Sequence, residues 1–249
     1  MSIWGKILGG VGGFAIGGPL GAIIGAIAGH AVDKMRANVP ESADPSPVHE
    51  DATKSIAFTI GVVVLGAKMA KADGVVSKAE ISAFKEVFRV PPHEVKNVAR
   101  VFDQARKDSR GFEPYARQIA GMFPRDPAVL EELLYCLTFI ARADGELEAA
   151  EKQYLRAVSD IFGLDQAAFE RVTAIRAGPD EADPYQILGV ARSISDDDLK
   201  TAYRQLVREN HPDRLVAQGM PEEFVEVANQ KLAAINAAYD KVAAQRGLN

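Results

Sequence analysis

Cysteine is nearly missing from this chain of 249 residues. Its one copy, Cys136, lies in the apolar run Leu133-Leu134-Tyr135-Cys136-Leu137, so no disulfide forms within the chain and the thiol is expected to be a small buried hydrophobe in a reducing compartment. A basic excess is missing too. Lys and Arg number 29 against 34 Asp and Glu, a net charge of -5, which excludes the positive footprint of a general nucleic-acid binder and points to protein partners. Alternating strand patterns are almost absent from residues 52 to 176, which excludes a sheet there and predicts an all-α unit. Finally, no charged residue occurs from Ile7 to Ala28.

That charge-free stretch is 22 residues long. At about 1.5 Å per residue a helix of this length covers a bilayer core of roughly 30 Å, so the segment is expected to span a membrane. Within it Gly9, Gly13, Gly17, Gly21, Gly25 and Gly29 recur at every fourth position. On one helix they form a small-residue face of the kind that lets helices approach closely in lipid, which predicts a homodimer through this segment. Pro19 removes a hydrogen bond at mid-span and the glycine content lowers the hydrophobicity, so a soluble glycine-rich helical hairpin is the competing reading. Lys34 and Arg36 behind the run outnumber Lys6 before it, which places the C-terminal side in the cytoplasm.

Pro40, Pro45 and Pro47 interrupt a polar stretch that reads as a linker. Beyond it, breaks at Pro91-Pro92, Gly111, Pro124 and Gly163 divide six or seven helices. An internal echo, Ala70-Lys71-Ala72-Asp73-Gly74 with Glu80 and Ala141-Arg142-Ala143-Asp144-Gly145 with Glu151, predicts two similar helix pairs packed face to face. An EF-hand is excluded, because Met69, Lys71, Ile140 and Arg142 stand where the first ligands belong. Two readings of the echo remain. Either Gly74 and Gly145 are left-handed caps and Ser77-Lys78-Ala79-Glu80 is a capping box, or Asp73, Glu80, Asp144 and Glu151 converge on one divalent cation.

In the last third, Leu199, Ala202, Tyr203, Leu206 and Val207 form the apolar face of a helix starting near Asp196, and Lys200, Arg204 and Arg208 form its basic face. Pro212 ends that helix and leaves His211 and Asp213 in a loop. A second long helix is expected from Glu222 to about Gln245, burying Phe224, Val225, Ala228, Leu232, Ile235, Ala238, Tyr239 and Val242. No Ser or Cys nucleophile accompanies His211 and Asp213, so hydrolase chemistry is unsupported and no enzyme activity is expected.

Asp183-Pro184-Tyr185-Gln186-Ile187-Leu188-Gly189-Val190, Leu199-Lys200-Thr201-Ala202-Tyr203-Arg204-Gln205-Leu206, His211-Pro212-Asp213 and Ile235-Asn236-Ala237-Ala238-Tyr239 together resemble the landmarks of a DnaJ J-domain. The resemblance implies a co-chaperone that docks on a DnaK-type chaperone and stimulates its ATPase, with His211, Pro212, Asp213, Lys200, Arg204 and Arg208 as the docking residues and no cofactor required. The lone cysteine leaves out the cysteine-rich zinc domain of many longer DnaJ proteins. The paired Ala-Asp-Gly motifs are similar to the TerB-like domain, named for tellurite resistance, whose matching acidic residues have been taken for a cation site. A metal-responsive stress protein acting through that bundle is therefore the alternative function.

Taken in order, Trp4-Gly5-Lys6-Ile7, Gly29-His30-Ala31-Val32-Asp33-Lys34, the TerB-like middle, Asp213-Arg214-Leu215-Val216-Ala217-Gln218-Gly219-Met220-Pro221 and Arg246-Gly247-Leu248-Asn249 resemble the DjlA-like family of membrane-anchored DnaJ-type co-chaperones. The expected organisation is an all-α chain with a membrane anchor at 1–30, a linker at 31–50, a TerB-like bundle at 51–177, a short linker at 178–183 and a J-domain at 184–249. The resemblance implies a single pass through the bacterial inner membrane with the bulk of the chain cytoplasmic.

Overall fold

Fifteen consecutive residues, Ile56 to Ala70, are buried on every side of one helix, and the rest of the central bundle is arranged around it. A helix apolar all round has no face for water, so it becomes the axis of the core. This helix, α1 (Pro47–Asp73), includes a stretch from Thr53 to Ala70 apolar enough to cross a membrane, yet most of that stretch is enclosed by protein. Pro47 opens the helix where a linker was expected, because a proline in the first turn gives up an amide that no helical carbonyl would have used. The computed structural model describes residues 17–23, 47–73, 78–88, 95–108, 111–145, 147–175 and 182–248.

Around α1 stand α2 (Lys78–Phe88), α3 (Val95–Lys107), α4 (Glu113–Met122), α5 (Pro127–Ala141), α6 (Ala149–Phe162) and α7 (Gln166–Ile175). No strand occurs among the described residues. Helices α3, α4, α5 and α6 all pack on α1, and α2 packs on α5, so the pairs predicted from the echo do lie against each other. Helix α1 meets α4 closely at Gly61, where an added Cβ would come within 2.7 Å of Ile119 Cδ1. Two buried polar groups tie the bundle's helices together: the Tyr154 hydroxyl donates to the Leu65 carbonyl at 2.8 Å, and Lys68 Nζ donates to the Asp108 carbonyl at 2.9 Å. Cys136 is fully buried as expected, and burial pushes its thiol well above the ordinary range, with Glu132 adding to the effect.

The C-terminal unit contains α8 (Pro184–Leu188), α9 (Asp196–Glu209), α10 (Pro212–Ala217) and α11 (Val225–Arg246). Two expectations need correction. His-Pro-Asp does not sit in an open loop: His211 is the N-cap and Pro212 the first residue of α10. The long second helix starts at Val225, after a 3-10 turn over Glu222–Phe224. Helix α11 buries one stripe, as expected, but shares it between two cores. Its C-terminal half buries Ile235, Ala238 and Val242 in the unit's own core, while Val227 and Ala228 join the core of the central bundle.

Of the six glycines expected on one face of an N-terminal helix, Gly17 and Gly21 fall in the described residues, and Gly9, Gly13, Gly25 and Gly29 lie outside them. Gly17 and Gly18 take φ of 54° and 58°, so the helix that holds Gly21 begins at 18 and does not run unbroken through Gly17. Gln118 on α4 holds this point: its Nε2 donates to the Gly17 carbonyl at 3.0 Å and its Oε1 accepts from the Leu20 amide at 2.9 Å. Leu20 and Ile23 are buried in the bundle core.

Candidate functional site: the His-Pro-Asp corner

Helix α9 starts where a start signal is written. The Ser195 hydroxyl accepts from the Asp198 amide at 3.2 Å, and Asp196, Asp197 and Asp198 place acid at the positive end of the helix dipole. It stops at Asn210, which is buried and donates to the Leu206 carbonyl from both its backbone amide and its Nδ2, each at 2.9 Å, so that one carbonyl accepts twice at the helix end. Between these ends Leu199 and Leu206 are buried, Arg204 and Arg208 are exposed, and Lys200 is half-buried. The stripe is thus present as spaced, with its strongest exposure near the corner.

At the corner the His211 Nδ1 accepts a hydrogen bond from the Asp213 amide at 3.2 Å. A backbone N–H only donates, so Nδ1 carries the lone pair and the neutral ring keeps its proton on Nε2. The Asp213 carboxylate lies 3.8 Å from Nδ1, too far to share a proton, and is 93% exposed. Pro212 and Leu215 are buried, Leu215 in the bundle core, so α10 is pinned from behind while His211, Asp213 and Arg214 face outward. A shallow cleft runs along this edge, lined by Tyr203, Arg204, Val207, Arg208, His211, Asp213 and Arg214.

Residues beyond the expected set hold the corner in place. Tyr203 of α9 stacks on Tyr239 of α11 with ring centroids 3.9 Å apart and planes 9° from parallel, and its hydroxyl donates to Asn236 Oδ1 at 3.1 Å. Burial, with Asp240 and Tyr239 nearby, raises the Tyr203 phenol above its ordinary range and keeps it a donor. Arg246 closes the far end: Nε donates to the Tyr185 hydroxyl at 3.1 Å, Nη1 to the Ile194 carbonyl at 2.8 Å and the Asp196 carboxylate at 2.9 Å, and Nη2 to the Arg192 carbonyl at 2.8 Å. One guanidinium therefore ties α11 to α8 and to the start of α9. Arg214 enlarges the basic edge; its place beyond the proline hid it from a pattern that ended with α9.

Of the acidic quartet, Glu151 alone has a side chain among the described residues, so the expected convergence falls outside them. Glu151 is buried and its Oε2 accepts from the Glu148 amide at 2.9 Å, a capping role at the start of α6. The side chains of Asp73, Glu80 and Asp144 lie outside the described residues, as does the expected capping residue Ser77. Gly145 has φ 145° and ψ -129°, not the left-handed cap expected of it. No group of three or more His, Cys, Asp or Glu that would hold a metal ion occurs among the described residues.

Three family models match along the chain: the co-chaperone DjlA transmembrane domain over residues 1–39, the tellurite resistance protein TerB over 59–174 and the DnaJ domain over 183–244. A co-chaperone protein DjlA of Photobacterium profundum is 30% identical over 276 aligned positions, covering 98% of this chain and 99% of the relative. The chain belongs to the DjlA co-chaperone family. DjlA of Coxiella burnetii is 28% identical over 271 positions, with 98% of both chains covered. DjlA of Shewanella oneidensis is 37% identical over 120 positions, covering 43% of this chain and 46% of the relative. No solved structure matches the chain. As a DjlA-family member it is a DnaJ-type co-chaperone, and the corner described above lies within its J-domain.

Proposed function

We propose that this co-chaperone docks on a DnaK-type chaperone through the α9–α10 edge and stimulates its ATPase at the inner membrane surface. The observation that carries the reading is the division of the J-domain: His211, Asp213, Arg204, Arg208 and Arg214 face water on one edge, while Pro212 and Leu215 are fixed in protein behind it. Exposed charges of one sign contribute on-rate and register more than affinity, which suits a partner that must bind and leave within one nucleotide cycle. A neutral His211 ring with its proton on Nε2 supplies an outward donor beside an exposed carboxylate, so the corner offers both a donor and an acceptor.

The transmembrane match over residues 1–39 supports an anchor at the N-terminus. Lys34 and Arg36 behind it support a cytoplasmic J-domain, on the side where the chaperone's ATP is found. The four-residue glycine spacing supports a homodimer through the same segment; of its six glycines, Gly17 and Gly21 fall among the described residues.

The test is single-turnover ATP hydrolysis by the host DnaK-type chaperone with the full chain in lipid vesicles. Wild type should raise the rate and His211→Gln should not. An unchanged rate with wild type, or full stimulation by His211→Gln, would overturn the reading.

A further inference from the structure

The last helix of the J-domain carries a lysine with no access to water. Lys231 on α11 is 0% exposed, and its Nζ lies 3.0 Å from Glu131 Oε1 and 3.3 Å from Glu132 Oε2, both on α5 of the central bundle. Arg171 on α7 completes the cluster, donating from Nε to Glu131 Oε1 at 3.0 Å and from Nη2 to Oε2 at 3.4 Å. Arg171 also reaches the J-domain's first helix, since its Nη1 lies 2.9 Å from where a Cβ at Gly189 would stand. Two acids and two bases are closed off together across the junction of the two folded units.

Apolar contacts surround this cluster. Phe58 of α1 meets Phe224 edge to face at 4.8 Å, and Leu215, Met220 and Phe224 are fully or almost fully buried in the bundle core. The backbone is registered as well: the Ser55 hydroxyl donates to the Gly219 carbonyl at 3.0 Å. Gly219 has φ 111°, and a Cβ there would stand 2.8 Å from Lys54 Cβ, so only glycine permits the approach. Apolar area supplies the attraction. A buried ion cluster of this kind adds little net stability over an apolar match, because desolvation offsets the Coulombic gain, and what it adds is one permitted arrangement.

We infer that Lys231, paired with Glu131 and Glu132, is a positioning residue for the co-chaperone: it fixes the J-domain on the TerB-like bundle in a single orientation that turns the α9–α10 edge outward. The α11 face is consumed inside the molecule, so a partner meets only the basic edge and the His-Pro-Asp corner. The inference rests on the proposed function, in that the edge so presented is taken as the docking edge. A J-domain freed from the cluster presents that edge for only part of the time, and apparent affinity falls by that fraction.

The test uses the full chain in lipid vesicles with spin labels at Arg117→Cys on α4 and Ala237→Cys on α11, both exposed sites, while the native Cys136 is buried and unreactive. Lys231→Met is compared with Lys231→Met combined with Glu132→Gln, which also removes the acid left unpaired and so protects folding. In wild type one narrow interspin distance is expected. In both variants the distribution should broaden, and the concentration of co-chaperone giving half-maximal ATPase stimulation should rise about tenfold with the maximal rate unchanged. A narrow distance and unchanged half-saturation in the double variant would overturn the inference; so would a fall in maximal rate without a change in half-saturation. His211→Gln keeps the two readings apart, since it should abolish stimulation while leaving the interspin distance as in wild type.

Discussion

Glu132→Gln should remove a pH dependence that this protein carries at its centre. The Glu132 side chain is fully buried, and neither carboxylate oxygen completes a hydrogen bond among the described residues. Burial raises its pKa, Lys231 partly offsets that, and the neighbouring Glu131 raises it further, so the carboxyl stands above its ordinary value. Between the unfolded value and the raised folded value, the native state therefore holds a proton that the unfolded chain has released. Stability from this group is present below that window and is lost as pH rises through it, with a limiting slope of about 1.4 kcal/mol per pH unit. Glutamine holds no such proton and removes the slope. Urea unfolding of both chains in detergent, followed by helical circular dichroism from about pH 4 to about pH 9, gives the difference in unfolding free energy at each pH. The variant should gain on wild type as pH rises, and a flat difference, or one of the opposite sign, would refute the reasoning. Glu131 runs the other way. Burial raises it, but Lys231 and Arg171 more than offset this and hold it below the ordinary range, so its contribution is lost only when pH falls through its folded value.

Two glycines on α1 should respond oppositely to alanine. At Gly66 a Cβ meets only Leu137 Cδ2 at 4.0 Å, so Gly66→Ala should stabilise by about 1 kcal/mol in urea unfolding through helix propensity alone. At Gly61 the Cβ would collide with Ile119 Cδ1, so Gly61→Ala should destabilise by about 1–3 kcal/mol in the same assay. Tyr154→Phe removes the second hydrogen bond on the Leu65 carbonyl, which keeps its helical one, and should cost about 0.5–1.5 kcal/mol. Arg204→Ala and Arg208→Ala should leave the melting temperature unchanged but weaken ATPase stimulation at low salt, with the deficit shrinking as salt rises; an equal deficit at all salt concentrations would mean the stripe does not steer.

Much of this architecture was legible because it rests on period and punctuation. The breaks at Pro91-Pro92, Gly111, Pro124 and Gly163 each fall between described helices, and Ser195 with its three aspartates marks the start of α9. The basic stripe was equally readable, since Lys200, Arg204 and Arg208 recur at the helical step. What escaped is what depends on a second element. Pro47 and Pro212 each look like an interruption, yet both begin helices, because a proline is harmful inside a helix and harmless in its first turn. Lys231 lies in the apolar pattern of α11 between Ala228 and Leu232, but a lysine there signals burial only when the acids that meet it are known, and those lie about a hundred positions earlier in the chain. Arg246 was similarly silent, because its four acceptors come from α8, α9 and the segment between them.

The sharing of α11 between two cores has a practical consequence for anyone who cuts the chain. A fragment beginning at Asp183 would expose Leu215, Met220, Phe224 and Val227 to solvent all at once, with an ammonium among them that had never met water. Such a fragment should self-associate or adhere to bystanders, and its behaviour would report on the wound as much as on the module.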